Sequence, residues 1–349
     1  MKILYLYAEV MGYTMATIKS LLEQGAEVHV VYWDKMRWTP YQIPDLKGIK
    51  KYPKSKHPLE LLKILAMSVD PDLTVVSGWM DNDYLSVVSL LRKNGKSVVV
   101  GFDGQWYGGL KQYLAAFLGT IGYFSRYFSH AWVAGPYQYE YARRLGFKKN
   151  NIIFDLLSSD IQLFQDAFNS CYELKKNKYP HRFLFVGRFE EIKGLNTLLD
   201  AWENMLHERS DWQLYFIGNG SYKRKLLATS GVVVKDFMQP DELVEEVTEA
   251  GCFVLPSLVE PWGVVVHEFA AAGLPLILSD KVGAATTFLI PGTNGYSFNA
   301  NDAASLAKSM LRIIKSDDDE LLQMSRASNY LSNRITSYTS ACNLLSLVK

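Results

Sequence analysis

The chain has 349 residues, 48% of them hydrophobic, and a formal net charge of +1 at neutral pH. A chain of this length can bury a large core, and its length favours two domains over one. The longest weakly polar stretch, residues 114–124, is too short to cross a bilayer, and residues 1–10 are typical of a strand, not of a signal peptide. The sequence therefore predicts a cytoplasmic, globular protein.

The charge is unevenly shared between the two halves. Residues 1–160 contain 19 basic and 14 acidic side chains, whereas the remainder contains 18 and 22. Basic clusters lie at 47–57 and 143–149. Such clusters are most often solvated faces; the alternative is a surface for anionic lipid or an anionic acceptor. A peripheral position at the inner face of a membrane is therefore kept as an alternative, and nucleic acid is not predicted as a partner.

The three cysteines, Cys171, Cys252 and Cys342, are widely spaced and form no CxxC or Cys/His cluster. We expect reduced, structural thiols, with no disulfide framework and no zinc site.

The first half alternates apolar runs with helical patterns, which predicts a parallel sheet covered by helices. A helix is expected over 14–25, ending at Gly25. The aromatic segment 112–128 predicts a core helix, with a membrane-contacting or acceptor-binding helix as the alternative. Strands are predicted at 2–7, 27–33, 73–78, 97–102, 131–135 and 151–154.

The second half repeats this scheme after a polar segment, 158–180, which predicts a linker. Helices are expected over 194–206 and 240–251, and the end of the chain, from about 318, is helical by pattern. The predicted domains are 1–160, joined by a C-terminal crossover helix at about 334–349, and 161–333. Strands are predicted at 181–187, 212–218, 232–237, 252–257 and 274–280.

Two doubly wound α/β domains in tandem predict a cleft between them. Open parallel sheets bind ligands at the carboxyl ends of their strands, so functional residues are expected in the loops that follow strands.

One such loop follows the strand at 181–187 and carries Arg188 and Lys193 just before a helix. Helix N-termini favour anions, and an arginine fork with a lysine point charge suits a diphosphate. An ordinary turn with two solvated cations is equally compatible with this loop alone, since Glu190 and Glu191 weaken its positive field.

A second loop, after the strand at 252–257, reads EPWGVVVHE. Gly263 allows a tight turn, a helix is expected from about Val264, and Glu268 falls one turn into it. A carboxylate accepts two hydrogen bonds and suits a vicinal diol such as that of a ribose. His267 is interpreted as a core or surface histidine, and an acid/base role is the alternative.

Together these loops resemble the nucleotide-sugar-binding domain of retaining glycosyltransferases of family 4, which have the GT-B fold. The similar segments cover roughly 183–298: 183–202, 216–220, 243–280 and 291–298. The resemblance implies two Rossmann-like domains facing across a cleft, no bound metal and no cofactor.

The resemblance also implies roles for individual residues. Arg188 and Lys193 would hold the diphosphate and stabilise the leaving group, and Glu268 would bind the ribose hydroxyls. Glu260 would lie near the transferred sugar. The backbone of three further residues would touch sugar and phosphate, and two more would lie beside the base: Trp262, Gly263 and Val264, then Asp236 and Phe237.

The sequence departs from the family pattern in three places. Residues 283–287, GAATT, replace a Gly-Gly-Glu sequence. Gly12 stands beside Tyr13 where the family often has a glycine pair near the phosphates. Asp103 follows the strand where a histidine is common, so we expect Asp103 to take its place; a turn-capping aspartate is the alternative.

The sequence therefore predicts a retaining, metal-independent transferase that moves a sugar from a nucleoside-diphosphate donor to a glycan or lipid-linked acceptor, in cell-surface polysaccharide assembly. One rival is a nucleotide-sugar epimerase, and another is a catalytically silent subunit that binds a nucleotide sugar. A dinucleotide-dependent oxidoreductase is disfavoured because no G-x-G-x-x-G motif follows the first strand.

Overall fold

A computed structural model describes residues 1–35 and 46–348. The chain divides into two compact units, one formed by Met1–Ser159 with Ile335–Lys349 and the other by Asp160–Arg334. Each unit contains a parallel sheet and helices. The predicted α/β class, with two Rossmann-like sheets, is confirmed.

The strands of the described chain form one sheet in each unit. The first sheet contains Lys2–Tyr7 (β1), Glu27–Tyr32 (β2), Ile49–Pro53 (β3), Leu73–Ser77 (β4), Ser97–Phe102 (β5), His130–Val133 (β6) and Ile152–Ile153 (β7). The second contains Arg182–Val186 (β8), Gln213–Ile217 (β9), Val232–Lys235 (β10), Cys252–Leu255 (β11), Leu276–Ser279 (β12) and Gly295–Phe298 (β13).

The helices follow in chain order. The first unit has Gly12–Glu23 (α1), Leu59–Val69 (α2), Asn82–Lys93 (α3), Leu110–Thr120 (α4) and Pro136–Arg144 (α5). The second has Ile161–Asn177 (α6), Leu195–Asn204 (α7), Lys223–Leu227 (α8), Pro240–Thr248 (α9), Val264–Ala271 (α10), Ala285–Phe288 (α11), Ala303–Lys315 (α12) and Asp318–Ser332 (α13). Ser337–Leu345 (α14) returns to the first unit and packs on α1.

The six strands of the second sheet have the same order as the first six of the seven strands of the first sheet. The first runs β3-β2-β1-β4-β5-β6-β7 and the second β10-β9-β8-β11-β12-β13, with every described pair parallel. The strand order reverses between β1 and β4 and between β8 and β11. These are the switch points at which doubly wound sheets bind ligands.

The central strands are apolar on both faces because helices cover both sides of a parallel sheet. All four residues of β11 are fully buried, as are Val98, Val99 and Val100 of β5. All eleven predicted strands are present, with ends within two residues of those predicted. α1 also ends close to Gly25, as predicted, and Gly25 has the left-handed φ (+82°) that is common just after a helix.

Two strands were not predicted, β3 and β13. β3 lies within the basic cluster 47–57, and its lysines hide the alternation that identifies a half-buried edge strand. Lys50 pairs with Glu27 of the neighbouring strand, and Lys54 pairs with Asp81. Part of this basic cluster therefore stabilises the first unit.

The predicted linker 158–180 is wrong, because most of it forms α6. The helix packs on α9, α10 and α13, and it buries apolar side chains together with the side chain of Lys175. The Lys175 Nζ donates to the carbonyl oxygens of Val247 (3.4 Å) and Ala250 (2.9 Å), at the end of α9. Burial lowers the pKa of Lys175 to about 8. The polar residues that suggested a linker are the exposed face of an amphipathic helix.

The prediction of a core helix over 112–128 is also wrong for residues 112–120, which belong to α4. Phe124 and Phe128 are buried, but α4 exposes most of its large apolar side chains and buries only Gly119 completely.

Cys171, Cys252 and Cys342 form no disulfide with one another, and the first two are buried. Among the described residues, no three His, Cys, Asp or Glu side chains are grouped so that they could hold a metal ion. None of the helices in residues 1–35 and 46–348 has the length and apolar character needed to cross a membrane.

Candidate functional site

The loop after β8 lies at the switch point of the second sheet and is anchored by its backbone. The N–H of Gly187 donates to the carbonyl of Ile217 (3.1 Å), and the N–H of Phe189 donates to that of Asn219 (2.8 Å). The Phe189 ring is fully buried. Arg188 lies between these two anchored residues, so its position at the surface is fixed from both sides.

Arg188 itself is exposed, and its guanidinium has no hydrogen-bond or ion-pair partner in the part of the chain that the structure describes. The nearby carboxylate of Glu190 accepts hydrogen bonds from the N–H (3.4 Å) and hydroxyl (2.9 Å) of Ser221. Glu190 therefore points to the loop after β9. The guanidinium remains available to an anion.

Lys193 and Glu260 come together from two different loops. The Lys193 Nζ donates to the Glu260 carboxylate in an ion pair whose two side chains are 15% and 11% exposed. The same carboxylate accepts from the Ser257 hydroxyl at 3.0 Å. Because a buried carboxylate is costly without partners, these two donors account for its position.

Close backbone contacts hold the two loops against each other. The N–H of Leu258 donates to the carbonyl of Ile192 at 2.8 Å. Gly194, the residue directly before α7, has a φ of +69°, and a Cβ there would lie 1.9 Å from the carbonyl oxygen of Pro256. Only glycine fits this contact, since it permits both the left-handed backbone and the close approach.

The turn after Glu260 leads directly into α10. Gly263 has a φ of +95°, and Val264 is the first helical residue, as predicted. The Trp262 side chain is buried against Phe288, so only its backbone could reach a ligand. The first N–H groups of α10 have no partner within the helix, because this is true of every helix N-terminus.

The two adjacent residues Glu268 and His267 lie on different faces of α10. Glu268 is half-buried. His267 is completely buried, its ring stacks on Phe288 at 4.4 Å, and its Nε2 lies 2.9 Å from the carbonyl oxygen of Ser332. The interpretation of His267 as a core histidine is confirmed.

Asp236 and Phe237 follow β10 at the same carboxyl edge and are exposed. Asp236 pairs with Lys223 at the start of α8. Both side chains are thus accessible, although β10 is an edge strand and not at the switch point.

The divergent segment 283–287 supports the turn through its backbone. The N–H of Gly283 donates to the carbonyl of Glu260 (3.0 Å), and that of Ala284 donates to the carbonyl of Trp262 (2.9 Å). These contacts require no glutamate. The segment therefore positions the turn in spite of its unusual sequence.

In the first unit, Gly12 and Asp103 also lie at the carboxyl edge of their sheet. Gly12 is the first residue of α1, after β1, and Asp103 is exposed directly after β5. Burial raises the pKa of Tyr13, and the negative charges of Asp103 and Glu9 raise it further. Asp103, at the end of β5, is therefore near Tyr13 at the start of α1.

Sequence reasoning missed the residues that support the site. Ser257 donates to Glu260, and the Ser279 hydroxyl donates to the Ser257 carbonyl at 2.6 Å. Both serines end apolar runs, CFVLPS and LPLILS, and a polar residue at the end of a buried strand is the signal that could have identified them. Glu9 and Tyr13 were likewise not assigned.

Two doubly wound parallel sheets define the α/β class of this protein, and proteins of this class commonly bind ligands at their switch points. Residues 171–330 match the family model of glycosyl transferases group 1. This match covers most of the second unit.

Two curated proteins are similar in sequence to part of this chain. The phosphatidyl-myo-inositol mannosyltransferase of Mycobacterium leprae is 30% identical over 140 residues, covering 38% of this chain and 37% of that protein. The glycogen synthase of Mycobacterium tuberculosis is 30% identical over 167 residues, covering 45% and 39%. The chain thus spans less than half the length of these relatives.

Solved structures resemble the whole chain at low identity. Anabaena HepE in complex with UDP has a TM-score of 0.74 and 13% identity, covering 99% of this chain and all of that one. Sucrose-phosphate synthase from Thermosynechococcus elongatus has a TM-score of 0.72 and 19% identity, covering 99% and 96%. The predicted GT-B fold is confirmed.

Proposed function

We propose that the protein is a retaining, metal-independent glycosyltransferase that transfers a sugar from a nucleoside-diphosphate donor to a glycan or lipid-linked acceptor. The observation that carries the proposal is the convergence of Arg188, Lys193, Glu260 and the start of α10 at the switch point of the second sheet.

The charges of this site suit a diphosphate. Arg188 presents a fork of N–H donors without an internal partner, and Lys193 retains two donors beyond its bond to Glu260. The N-terminus of α10 adds oriented N–H groups. The same donors would stabilise the charge that develops on a leaving diphosphate, which is usually the largest catalytic contribution.

The remaining contacts of the donor follow from the resemblance. Glu268 would bind the ribose hydroxyls, and Asp236 and Phe237 would lie beside the base. Glu260 would contact the transferred sugar with the oxygen that Lys193 and Ser257 do not occupy. The complex of HepE with UDP supports a nucleoside diphosphate as the ligand of this kind of fold.

The acceptor is proposed from charge and from the curated relatives. The first unit is basic, and the name of the mycobacterial mannosyltransferase specifies a phosphatidylinositol lipid. A role in cell-surface polysaccharide assembly, in the cytoplasm and in peripheral contact with anionic membrane, is part of the proposal. Retention of configuration rests on the family 4 resemblance.

The donor can be tested by thermal unfolding with UDP-, GDP-, ADP- and dTDP-sugars. A ligand at 100 times its Kd stabilises the native state by about 2.7 kcal/mol, so one nucleotide series should raise the melting temperature. Glu268→Ala should reduce this shift, and Glu203→Ala, an exposed glutamate on α7, should not. The absence of a shift with all four series would contradict the proposal.

Turnover measurements separate the transferase from its rivals. An epimerase would convert the donor sugar without an acceptor, and a silent subunit would bind the donor without any product. Sugar transfer that requires an acceptor is the expected result.

Asp103 is proposed to form a hydrogen bond that assists transfer. Asp103→Ala is expected to lower turnover about tenfold or more, since one polar contact in the transition state is worth this much, while donor affinity changes little. Asp72→Ala is the control, because Asp72 precedes β4 at the amino end of the sheet. Wild-type turnover of the Asp103 variant would remove this residue from the site.

A further inference from the structure

In an ordinary surface helix, the large apolar side chains face the protein. In α4 the large apolar side chains face solvent, and the small residues face the protein. Five of its large side chains, in or directly after the helix, are 59% to 90% exposed. Their spacing of three or four residues places them on one stripe. We call this stripe the α4 surface: Leu110, Tyr113, Leu114, Phe117 and Ile121.

The opposite, small-residue face of α4 packs against the protein. Gly119 is buried, and a Cβ there would lie 2.5 Å from the backbone of Leu145, at the end of α5. Ala115 and Ala116 are half-buried. Because no larger residue fits this contact, the orientation of the helix is fixed, and the large side chains must face outward.

The segment that contains the α4 surface carries mostly positive charge. Residues 104–139 contain Lys111 and Arg126 and no aspartate or glutamate. Arg143, Arg144, Lys148 and Lys149 follow immediately, beside the contact between Gly119 and Leu145, and all four are exposed. Glu140 is the one acidic residue in 104–154, and it pairs with Arg144.

We propose that the α4 surface docks the protein on an anionic lipid bilayer. The stripe would enter the boundary between headgroups and acyl chains, and the surrounding lysines and arginines would face lipid phosphates. Leu, Phe, Ile and Tyr flanked by basic residues are the composition of helices that lie in a membrane interface. The relevance of this docking rests on the proposed function, since a lipid-linked acceptor would be reached at such a surface.

Charge distinguishes the bilayer from other occupants. In a two-fold contact with a second copy, the same positive patch would face itself, which is unfavourable. A glycan would leave Leu110, Leu114 and Phe117 without apolar contact. An anionic bilayer satisfies both the apolar stripe and its basic surroundings.

The test measures sedimentation of the full chain with vesicles, without donor or acceptor. One set of vesicles is phosphatidylcholine alone, and the other contains phosphatidylcholine and phosphatidylglycerol. The wild type should bind the anionic vesicles and bind them less at high salt. The double variant Leu114→Ser/Phe117→Ser should lower the partition coefficient about tenfold or more.

The matched control is Ile64→Ser, on α2, because Ile64 is 63% exposed and Phe117 is 62% exposed. Ile64→Ser should bind as the wild type does. Equal loss in both variants, or no binding to anionic vesicles, would overturn the proposal.

A second outcome would also overturn it. If sedimentation velocity shows a stable dimer that the Leu114→Ser/Phe117→Ser variant lacks, the α4 surface is an interface between copies. Because the vesicle assay needs no substrate, failure of docking leaves the proposed transferase activity untouched. A chain that docks without showing transfer would contradict only the proposed function.

Discussion

Replacing Arg188 with alanine is expected to lower the turnover of sugar transfer by about 100-fold or more, with a smaller loss of donor affinity. The guanidinium is held at the switch point by the anchored residues Gly187 and Phe189, and it has no partner within the described chain. Its removal therefore breaks no hydrogen bond or ion pair inside the described chain. The loss should appear in the transition state, where charge develops on the leaving diphosphate.

The measurement is steady-state kinetics with the donor identified by thermal unfolding. Arg326→Ala is the control, because Arg326 is also an exposed arginine of the second unit, on α13. The melting temperatures of both variants should equal that of the wild type. If Arg188→Ala and Arg326→Ala turn over at the same rate, Arg188 does not act on the diphosphate.

Replacing Gly194 with alanine is expected to destabilise the second unit by about 2–4 kcal/mol, because a strained backbone conformation and a steric clash both contribute. The residue has a φ of +69°, and a new Cβ would meet the Pro256 carbonyl oxygen at 1.9 Å. The backbone must move to relieve this clash. The movement would also separate the loop that carries Lys193 from the loop that carries Glu260.

Gly292→Ala provides the matched control in the same unit. Gly292 has a φ of +80° and nothing within 4 Å of a new Cβ, so it has the backbone cost without the clash. Its expected destabilisation is about 1 kcal/mol. Thermal unfolding of the two variants should thus differ clearly; equal melting temperatures would show that the contact with Pro256 is not needed.

The parallel sheets were predictable because their strands are unusually clear. Residues 98–102 and 252–255 are continuous apolar runs, which are typical of a short strand buried on both faces. The loops after them were then predicted to carry function by the geometry of doubly wound sheets. Arg188, Lys193 and Glu260 do lie in such loops, although their roles remain predictions.

The elements that were predicted wrongly are those whose local pattern is ambiguous. Lys50 in β3 and Lys54 directly after it form ion pairs, which a pattern of polar residues cannot show. The polar face of α6 was interpreted as a linker, and the apolar face of α4 as a core. In both cases, whether a helix face points to solvent or to the core depends on which neighbouring element the helix packs against.

The sequence by itself determined the α/β class, eleven of the thirteen described strands and the loops in which cations and carboxylates occur, because these follow from local periodicity and from the position of polar residues after apolar runs. Which side chains pair with one another, and which face solvent, was decided by the tertiary structure alone. It paired Lys193 with Glu260, turned Glu190 toward Ser221 and placed the large side chains of α4 at the surface. Each of these outcomes depends on contacts between residues distant along the chain, and no local pattern encodes them.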